Sequence, residues 1–301
     1  MSRPIPSRRD FLRQAMVSAA AALPFVLRQD RLLARTQGMH LSTDETVIRK
    51  RLAAGIDENL VRLPVGDLVA AMGRSFLGSP YEANTLEESG DEHLVVNLRE
   101  FDCVTLCETS LALARTIKLH SDSIQGYCQQ LQLIRYRSGT IKGYASRLHY
   151  FSEWISDNEK KNVLRDMTQE LGGRRDGREL NFMSSHREAY SRIVSDDAFA
   201  AIVAMEKELS THPRYLLPKE SVEGVLGKIQ NGDIIAITTS VPGLDVSHTG
   251  IAVKEGGTTR LLHAPSVGQQ VQITRGSIAD YVHAHDKQSG VMIARPHDPG
   301  I

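Results

Sequence analysis

The residue best suited to chemistry is a cysteine placed where a helix should begin, in Glu100-Phe101-Asp102-Cys103-Val104-Thr105-Leu106-Cys107-Glu108. Asp102 can cap a helix starting at Cys103 by accepting a hydrogen bond from a free backbone N–H. In the first turn, unpaired N–H groups and the helix dipole favour a thiolate. Such positions lower a cysteine pKa from about 8.5 into roughly the 3.5–7.5 range. A thiolate nucleophile also needs a base. Ser247-His248-Thr249-Gly250-Ile251-Ala252-Val253 reads as a strand entered through a histidine, and Leu261-Leu262-His263-Ala264-Pro265 as the next strand, ending on a second one. Neighbouring strands lie about 4.8 Å apart, so one imidazole can hydrogen-bond the other. That supplies a base and the group that orients it. Cys, His, His in that order suggests a cysteine hydrolase.

Each of these residues also has a plain reading. A cysteine is more often a buried small hydrophobe than a nucleophile, and Cys107 and Cys128 are assigned to packing. Asp102 serves equally as a simple helix cap, and its charge would raise the thiol pKa unless a cationic imidazole offsets it. A metal site on Cys103 and Cys107 stays open, although no histidine stands at zinc spacing from them. His283-Ala284-His285 is an isolated pair without acidic or cysteine neighbours at ligand spacing. No H-E-x-x-H, G-x-S-x-G, P-loop or dinucleotide fingerprint occurs.

The elements that must position these residues follow from periodicity. Apolar residues at helical spacing predict helices over 44–60 and 64–76, with Pro64 in a first turn and Gly78 at the stop. Further helices are expected over 102–118, 123–136, 196–209 and 277–284. A strand-like run covers 93–98. Residues 142–188 mix short helical pieces with polar loops, and 172–178 reads as an exposed basic loop. Beyond Pro218, β-branched runs predict strands over 232–238, 249–254, 260–263, 271–274 and 291–295. Helices first and strands second is an α+β pattern.

Bulk properties are ordinary for a soluble globular protein. The 301 residues carry 41% hydrophobic and 24% charged residues with zero formal net charge, so nothing in the balance argues for a nucleic-acid partner. Three cysteines exclude a disulfide scaffold. At the N-terminus, Ser7-Arg8-Arg9-Asp10-Phe11-Leu12-Arg13 and an alanine-rich apolar run over 15–27 resemble a twin-arginine export signal. The run falls short of the about 20 residues a membrane span needs. Residues 1–37 are therefore read as an address that engages the twin-arginine export machinery. Residues 38–301 are read as one catalytic domain working in the periplasm or outside the cell.

The motifs together resemble a known group. Gly78-Ser79-Pro80-Tyr81, the Phe-Asp-Cys helix start, Ser-His-Thr-Gly-Ile and Leu-His-Ala-Pro look like the NlpC-type bacterial cell-wall cysteine peptidases. Val95-Val96-Asn97-Leu98-Arg99-Glu100, Arg147-Leu148-His149-Tyr150-Phe151-Ser152 and Gly243-Leu244-Asp245-Val246 bring the sequence closer to one branch, the N-acetylmuramoyl-L-alanine amidase-like family. The resemblance implies a papain-like α+β core, with a nucleophile helix packed on an antiparallel sheet and extra N-terminal and middle helices. It also implies Cys103 as nucleophile, His248 as general base and His263 as its orienter. Tyr81 and Asp102 would line the site and receive the free amino end of a stem peptide. The usual Asp-Cys-Ser-Gly start is Asp-Cys-Val-Thr here, so the subsite need not select the same bond. The implied substrate is peptidoglycan or a muropeptide stem peptide, cut without cofactor at muramoyl–L-alanine or at γ-D-glutamyl–diamino acid. A thiol acyltransferase on the same scaffold and a non-catalytic wall-binding protein are the rivals.

Overall fold

The computed structural model describes residues 41–299 except Val194; the segment read as an export signal lies outside them. Its helices are α1 (Leu41–Asp57), α2 (Val65–Arg74), α3 (Cys103–Lys118), α4 (Ile124–Arg135), α5 (Phe151–Lys160), α6 (Phe182–Ser185), α7 (Asp196–Thr211) and α8 (Ile278–His283). Its strands are β1 (Leu164–Asp166), β2 (Arg174–Asp176), β3 (Arg214–Pro218), β4 (Ile234–Thr239), β5 (Val246–Glu255), β6 (Thr258–His263), β7 (Gln272–Ile273) and β8 (Gln288–Pro296). They form one antiparallel sheet in the order β2-β3-β8-β4-β5-β6-β7, with β1 also pairing to β8. The α+β architecture is as expected from the sequence.

Alternation along the strands builds two cores. Ile234, Ala236, Ile251, Val253, Leu262 and Met292 share one with the residues of α3. Their neighbours Ile235, Ile237, Ala252, Leu261 and Ile293 face the other way, onto Ile278 and Val282 of α8. From Cys103 to Ile117 every residue of α3 is buried. It is buried because it lies between the sheet and helices α1, α2 and α4, and its polar residues Thr105, Glu108, Ser110, Arg115 and Thr116 are hydrogen-bonded inside the molecule.

Three expectations need correction. Residues 93–98 form no strand: with no ladder partner, their backbone is held by side chains instead. Arg135 Nη1 donates to the Val95 carbonyl at 2.7 Å, and Leu98 N–H donates to Asp44 Oδ1 at 2.9 Å. The basic loop over 172–178 contains β2, an edge strand that pairs Arg175 with Tyr215. The sheet also begins before Pro218, because β1 and β3 both dock on β8.

Candidate active site

Cys103 opens α3 as expected. Asp102, in extended conformation, caps the helix: its Oδ1 accepts from the N–H of Val104 at 3.0 Å and of Thr105 at 2.7 Å. Thr105 Oγ1 returns the favour by accepting from the Asp102 N–H at 2.9 Å, completing a capping box. The threonine in Asp-Cys-Val-Thr thus has a structural use. Burial pushes the Asp102 carboxyl up to about 6, against the hydrogen bonds from Thr105 and Val104.

The start of α3 is also fastened to the sheet. Thr249 Oγ1 donates to the Cys103 carbonyl at 2.7 Å, and Cys107 Sγ, one turn along α3, lies 3.8 Å from the same oxygen. Thr249 follows His248 in β5. Just before it the β4–β5 register shifts, with Val246 opposite Thr238 and His248 opposite Ile237, leaving Ser247 as an extra residue. Bulges of this kind re-aim side chains beside active sites.

His248 Nε2 lies 2.8 Å from His263 Nδ1, so the two strand-borne rings form the predicted pair. Gly250 lies two residues past His248 in β5, against the end of β6, and a Cβ there would come 2.7 Å from the Leu262 carbonyl oxygen. Only glycine permits that approach. Both histidines are buried. Burial, then the charges of His263 and His285, push His248 well below the ordinary imidazole range. Burial and His285 push His263 down to about 4.

Tyr81 arrives from another direction. The turn over 78–81 is held on one side by Phe101, whose carbonyl accepts from Glu82 N–H at 3.1 Å, and on the other by Gln269, whose carbonyl accepts from Tyr81 N–H at 2.8 Å. The Tyr81 hydroxyl is buried without a hydrogen-bond partner among the described residues. Burial first, then Cys103 and Asp102, push its phenol far up, and a bridge between Tyr81 and Phe101 sets it beside the start of α3.

Two site residues carry no motif that spacing could reveal. The Tyr281 ring in α8 stands edge-on to His263, with centroids 5.0 Å apart, and 5.8 Å from His248. Burial and then Cys103 push its phenol up. His285 packs on Tyr281 at 4.6 Å.

A cleft of about 830 Å³ opens on the histidine pair, with Tyr281, His285, Leu244 and Val267 also on its walls. Cys103 is fully buried, and neither it nor Tyr81 nor Asp102 lines that cleft. The cysteine thus lies beneath the site's mouth and the histidines at it. Among the described residues no three His, Cys, Asp or Glu side chains converge as a metal-ligand set.

Comparison with known proteins places the fold and the family. A crystal structure of an N-acetylmuramoyl-L-alanine amidase from Bacteroides uniformis is 36% identical with TM-score 0.74, covering 78% of this chain and 99% of that one. A Bacteroides fragilis protein described provisionally as a xylanase is 37% identical with TM-score 0.71, covering 75% and 99%. A Legionella pneumophila protein, 20% identical with TM-score 0.62 over 86% and 96%, shares the fold alone. No curated protein matches significantly. The family model described as AmiA-like, N-acetylmuramoyl-L-alanine amidase-like, matches residues 71–291, and the chain belongs to that family.

Proposed function

We propose that this protein is a cysteine-dependent peptidoglycan hydrolase that cleaves the amide between muramic acid and L-alanine. The observation that carries the reading is the 2.8 Å His248–His263 pair on the strand whose next residue, Thr249, holds the Cys103 carbonyl. A base role requires an unprotonated Nδ1 on His248. That puts the ring proton on Nε2, where His263 Nδ1 accepts it. The neutral imidazole takes the Cys103 proton as sulfur attacks the lactyl carbonyl. Backbone N–H groups at the start of α3 and the unpartnered Tyr81 hydroxyl supply donors for the oxyanion. Collapse breaks the C–N bond, and the imidazolium returns its proton to the departing amine. Water, deprotonated by His248, then attacks the thioester and frees the carboxylate and the thiol. No step calls on a metal or organic cofactor.

The choice of bond rests on Asp102. Its Oδ1 is committed to the helix cap through Val104 and Thr105, which weakens the case for Asp102 and Tyr81 as receivers of a free amino end. The γ-D-glutamyl–diamino acid bond is thereby the second choice. A glycosidase has less support still: among the described residues Asp280 is the one carboxylate on the cleft wall, whereas glycoside hydrolysis usually needs two.

Digestion of purified peptidoglycan and muropeptides, followed by mass spectrometry, tests the reading. Wild type should release whole stem peptides and Cys103→Ala none. Free L-alanyl-D-glutamate would transfer the assignment to the second bond, and activity surviving in Cys103→Ala would sink the nucleophile. Transfer of the acyl group to an added amine in preference to water would mark an acyltransferase. Wall binding without products in either protein would mark a binding role. The same reading includes twin-arginine export: replacing Arg8 and Arg9 with lysine should leave the protein in the cytoplasm, as read by cell fractionation.

A further inference from the structure

In the reaction proposed above, His248 hands its proton to the departing amine, so the departing half of the substrate leaves across the histidines. The cleft lies there: His248 and His263 are on its walls, while Cys103 and Tyr81 are not. It is the leaving-group side of the site, and its charge is cationic. Arg275 and Lys287 line it against the single carboxylate of Asp280. That carboxylate is satisfied locally, accepting from the Ser277 N–H at 2.7 Å and the Ser277 hydroxyl at 2.9 Å. Arg275 is exposed and has no ion-pair partner among the described residues.

Position along the sheet gives the reach. β7 pairs Gln272 with His263, and the Thr274 N–H donates to the Leu261 carbonyl at 2.9 Å. Arg275 therefore stands three residues beyond the point opposite His263, about 10 Å at strand spacing. An extended peptide leaving group advances about 3.4 Å per residue. Carboxylates two or three residues from the cut bond come within range of the guanidinium. Stem peptides carry such groups on D-glutamate and on the diamino acid, and a guanidinium fork matches a carboxylate in shape as well as charge.

We propose that Arg275 is a specificity residue that pairs with a free carboxylate of the leaving stem peptide, so that acid stems are cleaved in preference to amidated ones. The inference rests on the leaving-group reading of the cleft. It is tested with two soluble muropeptides that are identical except that the D-glutamyl and diamino acid carboxylates are free in one and carboxamides in the other. Wild type should favour the acid by about tenfold in kcat/KM, the range of one charge-assisted contact. Arg275→Gln should erase that preference while leaving turnover of the amide substrate unchanged, and Arg275→Lys should keep part of it. Equal turnover of both substrates by wild type, or an equal loss on both in Arg275→Gln, overturns the proposal. If wild type cleaves neither muropeptide, the functional reading fails, and Arg275 is judged by calorimetry on the Cys103→Ala protein. There the acid stem peptide must bind more tightly than the amide, and Arg275→Gln must remove the difference.

Discussion

Burial disfavours the protonated form of His248, the base of the proposed reaction, and that sets the pH behaviour expected of it. The proposed reaction uses the unprotonated imidazole of His248, the form present above its pKa, so activity should fall as pH drops through that value. Burial keeps His248 well below the ordinary range and His263 near about 4. The acid limb of kcat/KM should therefore lie well under 6.5, the ordinary histidine value. Asp102, raised to about 6, can add a shallow inflection of its own. Asp102→Asn keeps a capping oxygen and should remove that inflection alone. A limb at 6.5 or above in both proteins would show that the base is not desolvated as the geometry requires. At this scale much was legible in the sequence: a capped cysteine and two strand-borne histidines announce themselves by local pattern. Tyr281 does not. It acts by packing across two histidines that lie 18 or more residues away in sequence, and a single tyrosine in a short helix carries no local sign of that.

Elements bring these residues to one place through a few directed bonds. Thr249 ties the first carbonyl of α3 to β5, and its γ-oxygen also lies against Cys107. Thr249→Val keeps the shape and removes the donor. Stability should fall by about 1 kcal/mol in denaturant melts, the usual net worth of one hydrogen bond. Because the sulfur would no longer be held against the histidine strand, kcat should fall roughly ten- to a hundredfold with KM little changed. A loss in KM alone would assign Thr249 to substrate binding. A second bond joins two motifs that the resemblance quoted without explaining. Asp245, at the entry to β5, accepts from the Ser152 N–H at 2.7 Å and the Val246 N–H at 2.7 Å. The N-cap residue of α5, Tyr150, offers no capping side chain, so Asp245 satisfies that helix end from a distant part of the chain. The strands from β4 onward were readable because β-branched runs alternate there. β1 and β2 are three residues each and rich in charge, so their pairing is decided by β8 and β3 rather than by their own sequence.

At the scale of the whole molecule, the helix bearing Cys103 is locked by a charge that no apolar pattern predicts. Glu108 lies in the middle of α3 with its side chain only 2% exposed, paired to Arg135 of α4 at 2.6 Å. Its other oxygen accepts from Trp154 Nε1 of α5 at 3.3 Å, and Arg135 also holds the Val95 carbonyl of the segment leading to the cysteine. Three helices and that segment meet on one ion pair. Removing one partner leaves a buried charge without compensation, which costs about 3–5 kcal/mol, whereas replacing both by apolar residues of similar volume can be neutral. Glu108→Leu should therefore lower the unfolding midpoint sharply, and Glu108→Leu with Arg135→Met should recover most of the loss. Activity should not recover with it. The Val95 carbonyl stays without its donor in the double variant, so the segment over 93–98, which has no ladder bonds, loosens just before Phe101 and Asp102. Denaturant melts and muropeptide turnover measured on the same three proteins separate the two effects. If turnover returned in step with stability, the ion pair would be needed for folding alone and would have no part in positioning the nucleophile.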